Sequence, residues 1–193
     1  PLWQRGNKGD FVNCRSSIIP RLLIYSEIRN IQRAMKIIVG IGDMQVTNDL
    51  EATLITYSLG SCIGVAIYDP VAKVGGLLHY MLPESQIDVQ KAQKNPWMFA
   101  DTGIPLFFKE AYALGAEKKR MKVKVAGGSQ IMDASGYFNI GKRNYMATRK
   151  IFWKNNVLIH AEDVGGNCNR TLSIELSSGK VWIKTSGDGI KEL

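Results

Sequence analysis

The order of apolar segments in this 193-residue chain predicts an α+β fold built on a mixed β-sheet. Three observations carry that expectation. Short β-branched and aliphatic runs come first; two segments with helical spacing follow, with a strand-like run between them; further strand-like runs close the chain. Glycine, aspartate and proline punctuate the joints, and no internal repeat or low-complexity tract interrupts the order.

The opening strands are residues 36–41, 52–58, 64–69 and 74–81, each a short aliphatic run. Residues 88–97, rich in Gln, Lys and Asn with one Pro, read as a long surface loop. Asp101 or Thr102 can cap the first helix, whose apolar face is Ile104, Phe107, Phe108, Ala111 and Leu114. Gly115 is its stop signal, and Pro105 is expected in the first turn, where a missing N–H costs nothing. Residues 121–126 alternate as a strand up to Gly127-Gly128. The second helix covers 142–155, with Tyr145, Thr148, Ile151 and Phe152 on one side. Residues 157–161, 171–176 and 181–185 are the closing strands, the last two joined by the hairpin-like Ser177-Ser178-Gly179-Lys180.

Composition narrows the function classes. Apolar residues make up 45% and charged residues 22% of the chain, close to globular averages, which excludes wholesale disorder. No apolar run approaches the ~18 residues of a membrane span, so no integral membrane segment is expected. Three cysteines without paired spacing are not a disulfide framework, and two histidines without Cys-x-x-Cys predict no metal site. A cytoplasmic protein is the simplest expectation.

The net charge of +8 is unevenly spread. Residues 1–34 hold six basic and two acidic residues, and so carry half of it. The basic cluster of the remainder, Lys118-Lys119-Arg120, is short, and no nucleic-acid partner is predicted. Residues 1–34 read as an N-terminal extension, either a flexible arm or extra translated sequence before a start at Met35. Residues 35–193 read as a single domain.

Among residues that carry chemistry, Cys62 is the most informative. It follows Leu59-Gly60-Ser61 at the junction of two strand-like runs, where a tight turn leaves backbone N–H groups free to face an oxyanion. His79 ends another strand, in Leu77-Leu78-His79-Tyr80-Met81. A thiol and an imidazole on adjacent strands are the minimum for a nucleophilic pair, although either residue alone is more often part of a packed core. Cys14 and Cys168 read as incidental, and His160 as a surface or structural residue. Glu162 and Asp163, adjacent on a strand, point to opposite faces and cannot act as a carboxylate pair. Gly127-Gly128-Ser129 and Gly165-Gly166-Asn167 lack phosphate-loop spacing and read as turns framing a cleft.

Several strings in one order resemble the chemoreceptor glutamine deamidase family, CheD. They are Gly60-Ser61-Cys62, His79-Tyr80-Met81-Leu82-Pro83, Ala126-Gly127-Gly128, Asn139-Ile140-Gly141-Lys142-Arg143-Asn144, and Ala161 through Asn167 with Arg170. The resemblance runs from about Met35 nearly to the C-terminus. It implies a layered α+β sandwich of mixed sheets with two main helices, similar to glutamine-deamidating cysteine hydrolase toxins. It implies an enzyme converting receptor glutamines to glutamates through a cysteine thioester, without metal or organic cofactor. The implied catalytic set is Cys62, His79 and Thr56, with the backbone at Gly60 and Ser61 beside the oxyanion. The implied partners are the cytoplasmic helices of chemotaxis receptors and a CheC-type phosphatase. The competing expectation is a non-catalytic regulatory module whose task is to bind that phosphatase. Met81, Met98 and Phe99 are candidate docking residues, with core packing as the alternative.

Overall fold

The computed structural model of the protein describes residues 35–130 and 139–193. The expectation for residues 1–34 therefore lies outside the described residues. The described chain builds ten strands: β1 (Met35–Ile38), β2 (Asp43–Thr47), β3 (Ala52–Leu59), β4 (Ile63–Asp69), β5 (Val74–Tyr80), β6 (Lys122–Gly127), β7 (Ile159–Val164), β8 (Arg170–Glu175), β9 (Val181–Thr185) and β10 (Gly189–Glu192). It also builds three α-helices: α1 (Val89–Lys94), α2 (Ala100–Ala113) and α3 (Ile140–Lys154).

The strands form two five-stranded sheets, in the orders β1-β3-β8-β9-β10 and β2-β5-β4-β6-β7. Each is mixed, because β1 runs parallel to β3 and β6 parallel to β7 while the other pairs are antiparallel. The fold is thus α+β, as the order of segments predicts. Leu54, Leu59, Ala66, Leu77, Leu172, Ile174 and Ile183 fill the space between the sheets. The opposite face of the second sheet packs Ile63, Val65, Ile67 and Tyr80 against Ile104, Phe107, Phe108 and Phe152 of α2 and α3. Sheet, sheet and helices therefore stack as three layers. β4 is buried along its whole length because it is the middle strand of the middle layer, which is why Ile63-Gly64-Val65-Ala66-Ile67 lacks polar alternation. Each fully buried Leu or Ile contributes about 2 kcal/mol, so a one-residue register slip of β4 or β5 would forfeit several such terms.

Local differences from the sequence reading have physical causes. Residues 88–97 are not a loop: Asp88 accepts from the Lys91 N–H and caps α1, and a 3-10 turn follows at Pro96–Met98. α1 buries no residue, so it leaves no apolar stripe to read. α2 starts at Ala100 with Phe99 as its N-cap, because Asp101 is engaged by the Ser85 N–H and hydroxyl, and Thr102 donates to the Pro96 carbonyl. Pro105 consequently lies inside the helix rather than in its first turn. β2 and β10, both sheet-edge strands without a fully buried residue, are absent from the sequence reading. Phe99 is fully buried, which excludes it as a docking residue.

Candidate active site

The site is assembled between the sheets. Cys62, Gly64 and Ala66 of the β4 segment share the face turned toward the first sheet, and so do Leu77 and His79 of β5. Gly64 is the direct cross-strand partner of His79, which sets Cys62 one diagonal step from the imidazole. Diagonal Cβ atoms on neighbouring strands are ~7–8 Å apart, a gap that a histidine ring spans. Gly64 is required by close approach: a Cβ there would lie 2.9 Å from both Leu59 Cδ1 and Leu172 Cδ2.

Thr56 reaches the same space from the opposite sheet. A β-bulge between Thr56 and Leu59, with Ser58 at φ 59°, keeps both of those side chains pointing inward although two residues separate them. The left-handed Ser58 costs about 1 kcal/mol, a local strain carried by the segment that leads to Cys62. Thr56 Oγ1 lies 2.7 Å from the Val39 carbonyl and 2.7 Å from His79 Nδ1. A carbonyl can only accept, so the threonine proton goes to Val39 and the Thr56 oxygen accepts from Nδ1–H. That assigns the tautomer: Nε2 carries the lone pair. Nε2 is buried and has no hydrogen-bond partner among the described residues, which leaves its lone pair free to act as a base.

Electrostatics keep the pair neutral at rest. Burial lowers the His79 pKa from 6.5 to about 4. Burial also pushes the Cys62 thiol up, with its own backbone N–H pulling the other way. The thiol is 8% exposed, and Thr56 and His79 are fully buried.

The turn that carries Cys62 is held by its carbonyls. Gly60 O accepts from Ser129 N–H, Cys62 O from Gly128 N–H, both at 2.8 Å, and Ser61 O from Asn144 Nδ2 at 2.9 Å. The N–H groups of Gly60 and Ser61 bond to no backbone acceptor among the described residues. Gly127, at φ 115°, is indispensable to this packing, since a Cβ there would sit 2.2 Å from Cys62 O. Behind the turn, Ser129 Oγ meets the Gly165 and Cys168 carbonyls and accepts from the buried Arg170, which also pairs with Asp163 at 2.7 Å. The glycine-rich strings of the sequence therefore converge on one support beneath Cys62.

Other sequence candidates stay apart. His160 sits in a β-bulge and accepts from Val123 N–H through Nδ1, a structural role. Glu162 accepts from the Tyr145 hydroxyl, whereas Asp163 joins Arg170 and Lys191. Sequence reasoning missed Val39, whose contribution is a backbone carbonyl with no side-chain signature. It also passed over Asn144 as an individual residue. A signal was available, because Asn144 lies four residues before Thr148 on the face predicted to be apolar.

Among the described residues, no helix is long and apolar enough to cross a membrane, and no cluster of three His, Cys, Asp or Glu residues could hold a metal ion. A buried thiol one diagonal step from a buried imidazole that a hydroxyl anchors is an arrangement that can support cysteine-based hydrolysis. Comparison with known proteins narrows the class. A family model described as CheD chemotactic sensory transduction matches residues 81–185. A protein of Syntrophus aciditrophicus (strain SB) named "Probable chemoreceptor glutamine deamidase CheD 1" is 60% identical over 157 residues, covering 81% of this chain and 98% of its own length. Proteins of Solibacter usitatus and Anaeromyxobacter dehalogenans with corresponding names are 49% identical over 152 residues and 46% over 155. These cover 79% and 80% of this chain, and 90% and 97% of their own lengths. The chain belongs to the CheD family.

Proposed function

We propose that the chain is a protein-glutamine deamidase that converts glutamines of chemotaxis receptors to glutamates, with Cys62 as nucleophile and His79 as base. One observation carries the assignment of roles. His79 Nδ1 is tied to Thr56 and Nε2 is buried without a partner among the described residues, so the ring, on the sheet face that also carries Cys62, offers a single unprotonated nitrogen.

Because burial disfavours both thiolate and imidazolium, the proton moves from Sγ to Nε2 as the sulfur attacks rather than before it. The sulfur forms a bond to the carboxamide carbon, and the oxyanion takes hydrogen bonds from the N–H groups of Ser61 and Cys62. Collapse breaks the carbon–nitrogen bond, and Nε2 returns its proton to the leaving ammonia. A water molecule, deprotonated by Nε2, then attacks the γ-glutamyl thioester; glutamate leaves and the thiol re-forms with the proton. Thr56 orients the ring through a neutral hydroxyl, which stabilises imidazolium less than a carboxylate would, so turnover is modest.

The substrate in this reading is a glutamine on a cytoplasmic receptor helix, and the product adds one negative charge to that helix. The protein accordingly acts in the cytoplasm. A CheC-type phosphatase is the second partner in this reading; it docks on the surface around Cys62 and His79 and competes with receptor. Adding it raises the apparent KM for receptor and leaves kcat unchanged. The activity itself is tested by ammonia release from purified receptor cytoplasmic fragments. Release that depends on Cys62 supports the reading, and a fragment bound without any release identifies a binding module instead.

A further inference from the structure

Asn144 stands on the second turn of α3, fully buried, with its amide nitrogen 2.9 Å from Ser61 O and 2.8 Å from Met81 O. Both contacts are carbonyl oxygens, so the NH2 group must face them, and each of its protons is used. The consequence is a buried Oδ1 with no partner among the described residues. The helical turn is itself anchored to β5, since the Tyr80 hydroxyl donates to the Asn144 carbonyl at 2.7 Å.

The two carbonyls have a particular location. The β4–β5 ladder ends at the Ile63–Tyr80 pair, and Ser61 and Met81 lie just beyond it, one on the cysteine segment and one on the histidine segment. The Asn144 side chain supplies a rung where the backbone ladder has none. A trans peptide directs its C=O and N–H to opposite sides. Holding Ser61 C=O toward α3 therefore turns the Cys62 N–H away from α3, toward the side where it reaches its own sulfur.

We propose that Asn144 is a positioning residue for the deamidation: it locks the Ser61–Cys62 peptide plane so that the Cys62 N–H faces the reacting centre, and it fixes the spacing of the cysteine and histidine segments. The proposal rests on Cys62 and His79 acting as described above. It explains why a buried asparagine with an unpaired acceptor occupies a position where leucine would fill the same space.

The test uses Asn144→Leu, which keeps the volume, and Asn144→Ala, both in a Cys14→Ala/Cys168→Ala background so that Cys62 is the sole thiol. Steady-state deamidation of a receptor fragment, iodoacetamide alkylation of Cys62 and thermal melts are measured on each folded protein. Loss of one aligned donor predicts a kcat lower by about 100-fold with KM held within about threefold. Alkylation slows by about tenfold as the sulfur loses its amide partner. A purely structural role predicts the reverse, since a loosened core exposes the thiol and speeds alkylation. Faster alkylation, a kcat within about threefold of the parent, or loss of cooperative folding in both variants overturns the proposal. If the parent itself releases no ammonia, the functional reading fails, and the alkylation rates alone decide the positioning role.

Discussion

Lowering the pH from 7 to 4.5 is expected to cost the folded protein about 2 to 3 kcal/mol through His79 alone. Burial holds that imidazole at about 4, below its ordinary 6.5. Between those values the unfolded chain binds a proton that the folded chain does not, so stability rises with pH across the window. The contribution is fully present above about 6.5, declines by about 1.4 kcal/mol per unit as pH falls, and levels off near the folded-state value. The carboxylates do not confuse the measurement. Burial opposes ionisation of Asp69, but Arg120 and the N–H groups of Glu117, Ala72 and Val71 outweigh it and hold its carboxyl well below the usual range. Burial likewise opposes ionisation of Asp163, and Lys191 with Arg170 prevails. Both carboxylates therefore stabilise the fold above their ordinary value of 3.8 and lose that contribution below it, outside most of the window. The assay is urea unfolding of the wild type and His79→Gln at pH 7 and 4.5. The wild type should lose about 2 to 3 kcal/mol more than the variant. Parallel losses would refute a neutral, desolvated His79.

His79→Asn should lower kcat by about 1,000-fold, because it removes the proton carrier of both half-reactions; Thr56→Ala should lower it by only about tenfold, because the base is loosened but kept. Steady-state kinetics on one receptor fragment reads both, and a reversed order would refute the assigned roles. Gly127→Ala should destabilise the fold by about 2 kcal/mol or more, read by urea unfolding, since φ 115° and a Cβ 2.2 Å from Cys62 O leave no room for a methyl group. Arg170→Leu should cost about 3 kcal/mol in the same assay by leaving Ser129 and Asp163 without their buried partner.

The strands and helices that bury a face were legible because burial imposes a period on sequence. β4, β8 and α2 write their packing in Ile, Val, Leu and Phe, and the α+β class follows from the order of those segments. Elements held by polar backbone contacts left no such trace. α1 depends on the Asp88 cap and on Asn95 N–H bonding to Lys91 O, and VQKAQK carries no stripe to reveal it. The site divides in the same way. Cys62 after Gly60-Ser61 and His79 at a strand end are chemically distinctive wherever they occur. The Val39 carbonyl that selects the imidazole tautomer is unreadable in sequence, because any residue would supply it. The Ser58 bulge, which lets Thr56 and Leu59 both face inward, is a backbone event at a residue that seldom adopts positive φ. Asn144 was visible as a polar residue on an apolar face, but its two acceptors, Ser61 and Met81, are far from it in sequence and near it only once the sheets and α3 have packed.

The central claim is that the Cys62 thiol deamidates receptor glutamine. Mass spectrometry of a receptor cytoplasmic fragment, incubated in parallel with wild type, Cys62→Ala and Cys168→Ala, tests it most directly. The account predicts a glutamine-to-glutamate mass change with wild type and Cys168→Ala, at similar rates, and none with a normally folded Cys62→Ala. Conversion by Cys62→Ala at a rate near that of the wild type would contradict it.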